Sequence, residues 1–182
     1  MLDMVNQAYR GIPINPAEHE FRVFIEYIRK HNSEEMAEYW RNSFGDCDCA
    51  AFPALPSLIR RPVANSEVAH PIKCLPPRSR DVTPSTLVRA AWALLVSRVT
   101  NSNDIVFGIT VSGRSVPVRG LDKVVGPTIA TFPLYVKIPR SQKLLEYLAV
   151  IQRQTTEIIP FEQFGLHQIS KTCPGAKQPW AT

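Results

Sequence analysis

Apolar residues recur at helical spacing along much of the chain. Phe21, Phe24, Ile25 and Ile28 follow the i, i+3, i+4, i+7 pattern of an amphipathic helix. Ser33 can cap a second helix that ends at Gly45. The same reasoning predicts helices over 1–10, 84–100, 141–159 and, in a short form, after 160. Helices therefore make up most of the predicted regular structure.

Two stretches alternate between apolar and polar residues instead, with the period of a β-strand. They cover 105–111 and 128–138, and Pro133 in the second marks an edge or a bulge. Between 46 and 82, six prolines exclude a helix and predict an extended crossover with one edge strand near 68–73. The pattern predicts a mixed α/β class, an α+β sandwich with helices packed on a sheet.

The helix over 84–100 carries the strongest local signals. Thr83 can cap its first amides, and Pro84 suits the first helical position. Apolar residues occupy nearly its whole circumference, and only a thin strip through Thr86, Arg89, Ser97 and Thr100 is polar. We therefore expect protein to surround this helix and expect Trp92 to be buried between the helix and the sheet.

Composition narrows the functional classes. A chain of 182 residues is long enough to form one domain. The net charge of +5 is dispersed and is not interleaved with aromatic residues, so nucleic-acid binding is not expected. No apolar run approaches the roughly 18 residues of a membrane span, and the first residues lack signal-peptide features. These observations predict a cytoplasmic protein with no membrane partner.

The cysteines and histidines do not form a recognisable metal or catalytic motif. Cys47 and Cys49 have one residue between them, fewer than a typical zinc pair, and no second pair follows. The histidines are scattered. We expect reduced thiols and no metal site.

Several motifs occur together in a specific order. They are "TPSTLVRAAWALLVSRVTNSNDIVFGITVSGRSVPVRGLDKVVGPTIATFPLYV" over 83–136, "QTTEIIPFEQFGL" over 154–166 and, more weakly, "FRVFIEYI" over 21–28. In this order and at this spacing they resemble the condensation domain of fungal nonribosomal peptide synthetases. The resemblance covers residues 1 to 175.

The resemblance implies the fold of chloramphenicol acetyltransferase, in which two lobes face one another across a tunnel. By this comparison 1–45 is the helical end of the N-terminal lobe and 46–82 the crossover. Residues 83–175 would form most of the C-terminal lobe core, and 176–182 a truncated tail. The implied reaction is amide-bond formation between aminoacyl groups tethered to carrier proteins. The implied partners are peptidyl carrier domains and the remainder of the condensation domain. No cofactor is expected to bind directly, since phosphopantetheine belongs to the carriers.

The family's HHxxxDG motif does not occur in the sequence. The family places it ahead of an AYRG-like helix end, which is found here at 8–11, and the chain stops before the family's RNPL-type segment. The resemblance therefore implies the middle two-fifths of the domain, an incomplete fold with no catalytic residue to assign. We expect this chain by itself to form no amide bond.

The resemblance also names candidate residues of the substrate tunnel. They are Thr110, Ser112, Arg114, Gly126, Thr128 and Thr131. In the superfamily, an arginine at the Arg114 position pairs with the Asp of the catalytic motif. Without that Asp, we expect Arg114 to be exposed or paired with Asp122 or Glu162, so that its loss barely changes stability. The competing interpretation is that "SGR" is only a tight turn.

Two further interpretations stay open. The chain could be a CoA-dependent acyltransferase of the same superfamily, which an HxxxD motif in upstream coding sequence would indicate. Alternatively, it could be a non-catalytic interaction fragment that has kept the lobe without its chemistry.

Overall fold

One antiparallel pair of strands lies among the helices. The computed structural model describes residues 2–13, 20–31, 33–45, 47, 49, 52–53, 63, 65–71, 82–138 and 141–173. Its helices are α1 (Leu2–Tyr9), α2 (Phe21–Lys30), α3 (Ser33–Phe44), α4 (Pro84–Thr100), α5 (Leu144–Glu157), a 3-10 helix (Ile159–Phe164) and α6 (Leu166–Thr172). The strands are β1 (Asp104–Val111) and β2 (Ala130–Lys137). Their register pairs Ile105 with Val136 and Ile109 with Phe132.

Most predicted elements are present. The Thr83 side chain accepts a hydrogen bond from the Thr86 amide at the start of α4, and Gly45, with a φ of +30°, directly follows the last residue of α3. The helix predicted to start at 141, with Ser141 as its cap, begins instead at Leu144 after an N-cap at Lys143. Residues 65–71 contain no strand, which contradicts the described part of the edge strand predicted near 68–73. The domain boundaries stay predictions, because most of 46–82 lies outside the described residues.

The main core forms where α3, α4, α5 and α6 meet the two strands. Trp40, Phe132, Leu134 and Ile151 are fully buried in it. The indole of Trp40 also donates a hydrogen bond to the Phe161 carbonyl oxygen at 3.3 Å, which ties α3 to the 3-10 helix. Side chains on both faces of β2 are buried, so this strand lies inside the protein rather than on its surface.

Helix α4 turns one side toward the core and leaves the other largely exposed, so the expectation that protein surrounds this helix was wrong. Its buried residues are Thr86, Ala90, Ala93 and Val96. The prediction that Trp92 is buried was wrong, since 42% of it is exposed. Polar contacts to α5 fix the rotation: the Thr86 hydroxyl donates to Gln152 Oε1 at 2.6 Å and the Arg89 guanidinium donates to the Thr155 hydroxyl at 3.2 Å. The small side chains of Ala90 and Ala93 let the core approach this face closely.

A smaller apolar cluster packs α2 against the loop that follows β1. Phe24 lies there with Val116, Leu121 and Val124, all buried. Partly buried residues of α2, of the loop and of the 3-10 helix surround them. This cluster fixes the loop that contains the candidate residues.

Two further observations concern the chemistry expected of the chain. Cys47 and Cys49 form a disulfide with Cα atoms 5.5 Å apart, within the usual range for such a bond, so the expectation of reduced thiols was wrong for this pair. Over the described residues, no helix is both long and apolar enough to cross a bilayer.

Candidate functional site

The candidate residues lie on the facing strands and on the segment that joins them, 112–129. The second residue of the segment is Gly113, whose φ is +67°, a conformation that L side chains rarely adopt. A Cβ at this position would overlap the Thr128 carbonyl and crowd the Gln163 side-chain amide. The chain therefore needs glycine between Ser112 and Arg114, because this turn lies directly against the end of the same segment.

Arg114 holds the segment together. Its guanidinium donates hydrogen bonds to the backbone carbonyls of Leu121, Val124 and Gly126, the latter two at 3.0 and 3.2 Å. The expectation that Arg114 is exposed or paired with Asp122 or Glu162 was wrong: the side chain is half-buried and its acceptors are carbonyl oxygens. Backbone dipoles solvate the charge, because the loop curls around the planar guanidinium and its several donors.

Ser112 and Thr128 join the two ends of the segment. The buried Thr128 hydroxyl donates to the Ser112 carbonyl oxygen at 2.7 Å. The Thr128 carbonyl oxygen accepts a hydrogen bond from Gln163 Nε2 at 3.0 Å. The 3-10 helix therefore supports the segment from outside, through a side chain that arrives from much later in the chain.

Gly126 adds a close contact between the segment and α2. A Cβ here would overlap the ring of Phe21, the first residue of that helix. Only glycine lets the backbone approach the ring this closely. Gly126 thus has a packing role in addition to its carbonyl contact with Arg114.

Thr110 and Thr131 face one another across the strands. They are direct partners in the ladder, and their hydroxyl oxygens lie 3.0 Å apart. Thr110 and the side chain of Ser112 are exposed, whereas Thr131 is half-buried. Two hydroxyls of the group are therefore open to a ligand that approaches this side of the strands.

Glu162 directly precedes Gln163 in the 3-10 helix, and its ionisable side chain is buried. Only 3% of it is exposed, and its Oε1 atom has no hydrogen-bond partner among the described residues. Burial raises the pKa of this carboxyl to about 6, although a hydrogen bond with the Gln163 side chain lowers the pKa in part. The pKa of Tyr27 on α2 is raised, mainly because its phenol is partly buried and secondly because of the nearby Glu162 carboxyl.

The structure brings the predicted residues together. Hydrogen bonds link Ser112 to Thr128 and Arg114, and Arg114 to Gly126, while Thr110 pairs with Thr131. A separate cavity of about 260 Å³ lies between β2 and α5, lined by Tyr135 and Tyr147 among others, and contains none of them. That these six residues line a substrate tunnel therefore stays a prediction. Among the described residues no group of His, Cys, Asp and Glu could hold a metal ion.

The sequence reasoning did not include Gln163 and Glu162 among the site residues. Both belong to the quoted motif "PFEQ", which pointed to the family but did not show which loop the motif supports. Only the contact between Gln163 and Thr128 reveals that role.

Comparison with known proteins yields consistent matches. A family model described as "Condensation domain" matches residues 3–179. The nonribosomal peptide synthetase dtxS1 of Metarhizium robertsii is 44% identical over 178 residues, which are 98% of this chain and 2% of that protein. The nonribosomal peptide synthetase TES of Alternaria alternata is 46% identical over 154 residues, 85% of this chain and 3% of that protein. The chain thus spans a small part of these relatives.

A solved structure supports the fold. The first condensation domain of the calcium-dependent antibiotic synthetase, solved with a substrate analogue, matches with a TM-score of 0.59 at 19% identity. The match covers 96% of this chain and 41% of that one. The mixed α/β fold expected from the resemblance is confirmed, and so is its extent of about two-fifths of a domain.

Proposed function

The chain belongs to the condensation-domain family, and on this premise we propose that its strands and the segment 112–129 form one wall of a tunnel in which peptide bonds are made. The proposed substrates are two aminoacyl groups, each held as a thioester on the phosphopantetheine arm of a carrier protein. The amine of one attacks the thioester carbonyl of the other, which forms the amide, breaks the C–S bond of the attacked thioester and releases its phosphopantetheine thiol, while the product stays on the carrier of the attacking amine. Family membership favours this reaction over the acyltransferase alternative.

The observation that carries the proposal is the network around Arg114. The guanidinium binds Leu121, Val124 and Gly126 and so makes a rigid surface out of a segment with no helix or strand of its own. Reactants held in a fixed geometry react much faster than free ones, and a rigid wall contributes to that geometry. Arg114 is a positioning residue in this scheme, since it touches backbone and no reacting atom.

The open hydroxyls are suited to a polar, uncharged ligand. Thr110 and Ser112 lie on the same side of β1 and its continuation, and both are exposed. A hydroxyl both donates and accepts hydrogen bonds, as the amides of a phosphopantetheine arm also do. We assign these side chains to contacts with that arm or with the aminoacyl group that it carries.

The base that activates the amine is assigned to no residue of this chain. Among the described histidines, His31 directs Nδ1 to the Tyr27 carbonyl oxygen at 2.9 Å, and His70 and His167 lie on other segments. None lies on the strands or on the segment 112–129. The family's HHxxxDG motif, which the printed sequence lacks, would supply the base from another part of the domain.

The remainder of the condensation domain is the proposed partner of the exposed side of α4. Val88, Trp92, Leu95 and Val99 form a stripe at helical spacing, and each is between 42% and 66% exposed. More than half of the solved condensation domain lies outside the part that this chain matches. An apolar stripe of this kind is suited to burial against that remainder. Carrier proteins are the other proposed partners, and the cytosol, predicted from the sequence, is the proposed location.

A chimera tests the proposed function. Residues 3–179 would replace the matching segment of the dtxS1 condensation domain, in a form that carries HHxxxDG, and amide formation would be measured with loaded donor and acceptor carrier proteins. We expect the chimera to be active and Arg114→Ala to lower its turnover by about tenfold or more. Arg119→Ala, on the same segment but exposed, serves as the control. A folded chimera without activity, or one indifferent to Arg114→Ala, would contradict the proposal.

A further inference from the structure

Gly108 lies in the middle of β1, where glycine does not favour the strand. Glycine in a strand interior costs conformational entropy and has no side chain to pack against its neighbours. It commonly marks a bulge, a tight bend, or a place where a ligand or another backbone approaches closely. The ladder between β1 and β2 is continuous, with Gly108 directly opposite Pro133, so there is no bulge at this position. The φ of Gly108 is not positive either, so its backbone conformation is open to other residues.

Packing among the described residues does not require glycine at this position. A Cβ at Gly113 or Gly126 would overlap neighbouring atoms, whereas a Cβ at Gly108 would meet nothing within 4 Å. Gly108 is also exposed. The space above it is therefore open, and a group from outside the described residues is the remaining reason for the missing side chain.

The open space above Gly108 has defined walls, and we call it the notch. Partners in an antiparallel ladder point their side chains to one face, and residues two positions apart on a strand share that face. Three facing pairs form the notch: Gly108 with Pro133 as its floor, Thr110 with Thr131 on one side, and Val106 with Tyr135 on the other. The two threonine hydroxyl oxygens lie 3.0 Å apart, so each satisfies the other and leaves capacity for one further contact.

The walls of the notch are uncharged. The charged pair on this face of the strands, Asp104 with Lys137, lies beyond Val106 and Tyr135, and Asp104 accepts a hydrogen bond from the Tyr135 hydroxyl. The Arg114 guanidinium donates to backbone carbonyl oxygens of its own segment. A charged group in the notch would lose water without gaining a counter-charge, which is costly. The notch is therefore suited to an uncharged group.

We propose that the notch receives the uncharged side chain of an aminoacyl group held on a phosphopantetheine arm, and that Gly108 sets the size of side chain accepted. The exposed hydroxyls of Thr110 and Ser112 lie on the same face as the notch, so the arm and the side chain would lie next to one another. This inference rests on the proposed function, and it adds a specificity-determining residue. One methylene more or less in a substrate pocket changes discrimination by about 10–200-fold.

Substitutions at Gly108 test the inference in the chimera described above. Turnover would be measured with Ala, Leu or Phe loaded first on the donor carrier and then on the acceptor carrier, because the notch receives the side chain of one of the two. Gly108→Val should lower kcat/KM for Leu and Phe, relative to Ala, by about tenfold or more in one series and leave the other series unchanged. Gly108→Ala, which adds one carbon atom, should cause a smaller change in the same series. Ala149→Leu, which adds as many carbon atoms as Gly108→Val at an exposed position of α5, is the matched control.

Binding of unreactive analogues provides a readout that does not need turnover. Pantetheine amides of Ala and Phe would be titrated into the chimera by calorimetry. The unsubstituted chimera should bind the Phe analogue more tightly, and Gly108→Val should remove this preference. A chimera that binds in this way but forms no amide would contradict the proposed function and support the inference.

Three outcomes would overturn the inference. The first is a size preference that Gly108→Val leaves unchanged in both series and in analogue binding. The second is acceptance of Asp as readily as Asn, which has the same shape, on the carrier whose series responds to Gly108→Val. The third is a Gly108→Val chimera whose thermal unfolding shows that it no longer folds, because polypeptide and not substrate would then occupy the notch.

Discussion

At the scale of single residues, two side chains decide how the segment after β1 is held. Arg114 organises it from within through backbone carbonyls, and Gln163 supports it from the 3-10 helix. Neither contact involves a carboxylate. Arg114, expected to be exposed or paired with Asp122 or Glu162, instead donates to backbone carbonyl oxygens whose dipoles face its charge.

Arg114→Ala should therefore destabilise this chain, contrary to the sequence-based expectation of no effect. Hydrogen bonds from a charged donor contribute about 1.5–3 kcal/mol each, and because Arg114 is only half-buried, water replaces part of what its removal takes away. We expect the free energy of unfolding to fall by about 2–3 kcal/mol in urea titration. The exposed Arg119→Ala should change it by less than about 0.5 kcal/mol. Equal values for the two variants would show that the network does not hold the segment.

Glu162 should make stability depend on pH. Its pKa is raised from 4.5 to about 6 in the folded chain, so the folded state retains a proton that the unfolded state has lost. The free energy of unfolding should therefore fall by about 2 kcal/mol as pH rises through this window and stay level above it. Urea midpoints across the window measure this. Glu162→Gln should abolish the fall, whereas Glu146→Gln, at an exposed position, should leave it in place. A fall that persists in Glu162→Gln must come from another group.

At the scale of elements, α4 shows how contacts override an amphipathic pattern. Its apolar residues nearly encircle the helix, so no rotation about the axis is strongly preferred by hydrophobicity alone. Hydrogen bonds from Thr86 and Arg89 to α5 select one rotation, with the polar strip inward. The apolar stripe on the other side stays largely exposed.

Trp40 and Trp92 represent the buried and the exposed environment, respectively. Trp40→Ala should cost about 3–5 kcal/mol, because the side chain is fully buried and its indole donates to Phe161. Trp92→Ala should cost less than about 1 kcal/mol in this chain, since the ring is half in solvent and its described ring contact is with Phe52. Thermal unfolding of both variants measures the difference. A large loss for Trp92→Ala would mean that the stripe is covered in the chain alone.

At the scale of the whole molecule, the described residues form a packed core, and several large apolar side chains are exposed on its surface. The apolar stripe on α4 is largely exposed, with a ring contact between Trp92 and Phe52, while the opposite side of the helix packs on the buried core. More than half of the solved condensation domain lies outside the part that this chain matches.

The chain alone should form no amide bond. A general base needs a pKa near the working pH, which histidine at about 6.5 usually provides, and no described histidine lies at the candidate residues. The test is mass spectrometry of products from loaded donor and acceptor carrier proteins. Turnover above that of a protein-free control would show that a residue of this chain supplies the base.

The sequence by itself determined the elements that depend on neighbours in the chain. Thr83 and Pro84 start α4 through local capping, and alternation with period two specifies both strands, because these signals act over a few residues. The family motifs likewise identified the residues that meet around Arg114. The rotation of α4, the carbonyl acceptors of Arg114 and the support from Gln163 were decided only by the tertiary structure. Each depends on groups brought together from distant segments, where the preferred partner is set by packing geometry and not by local propensity.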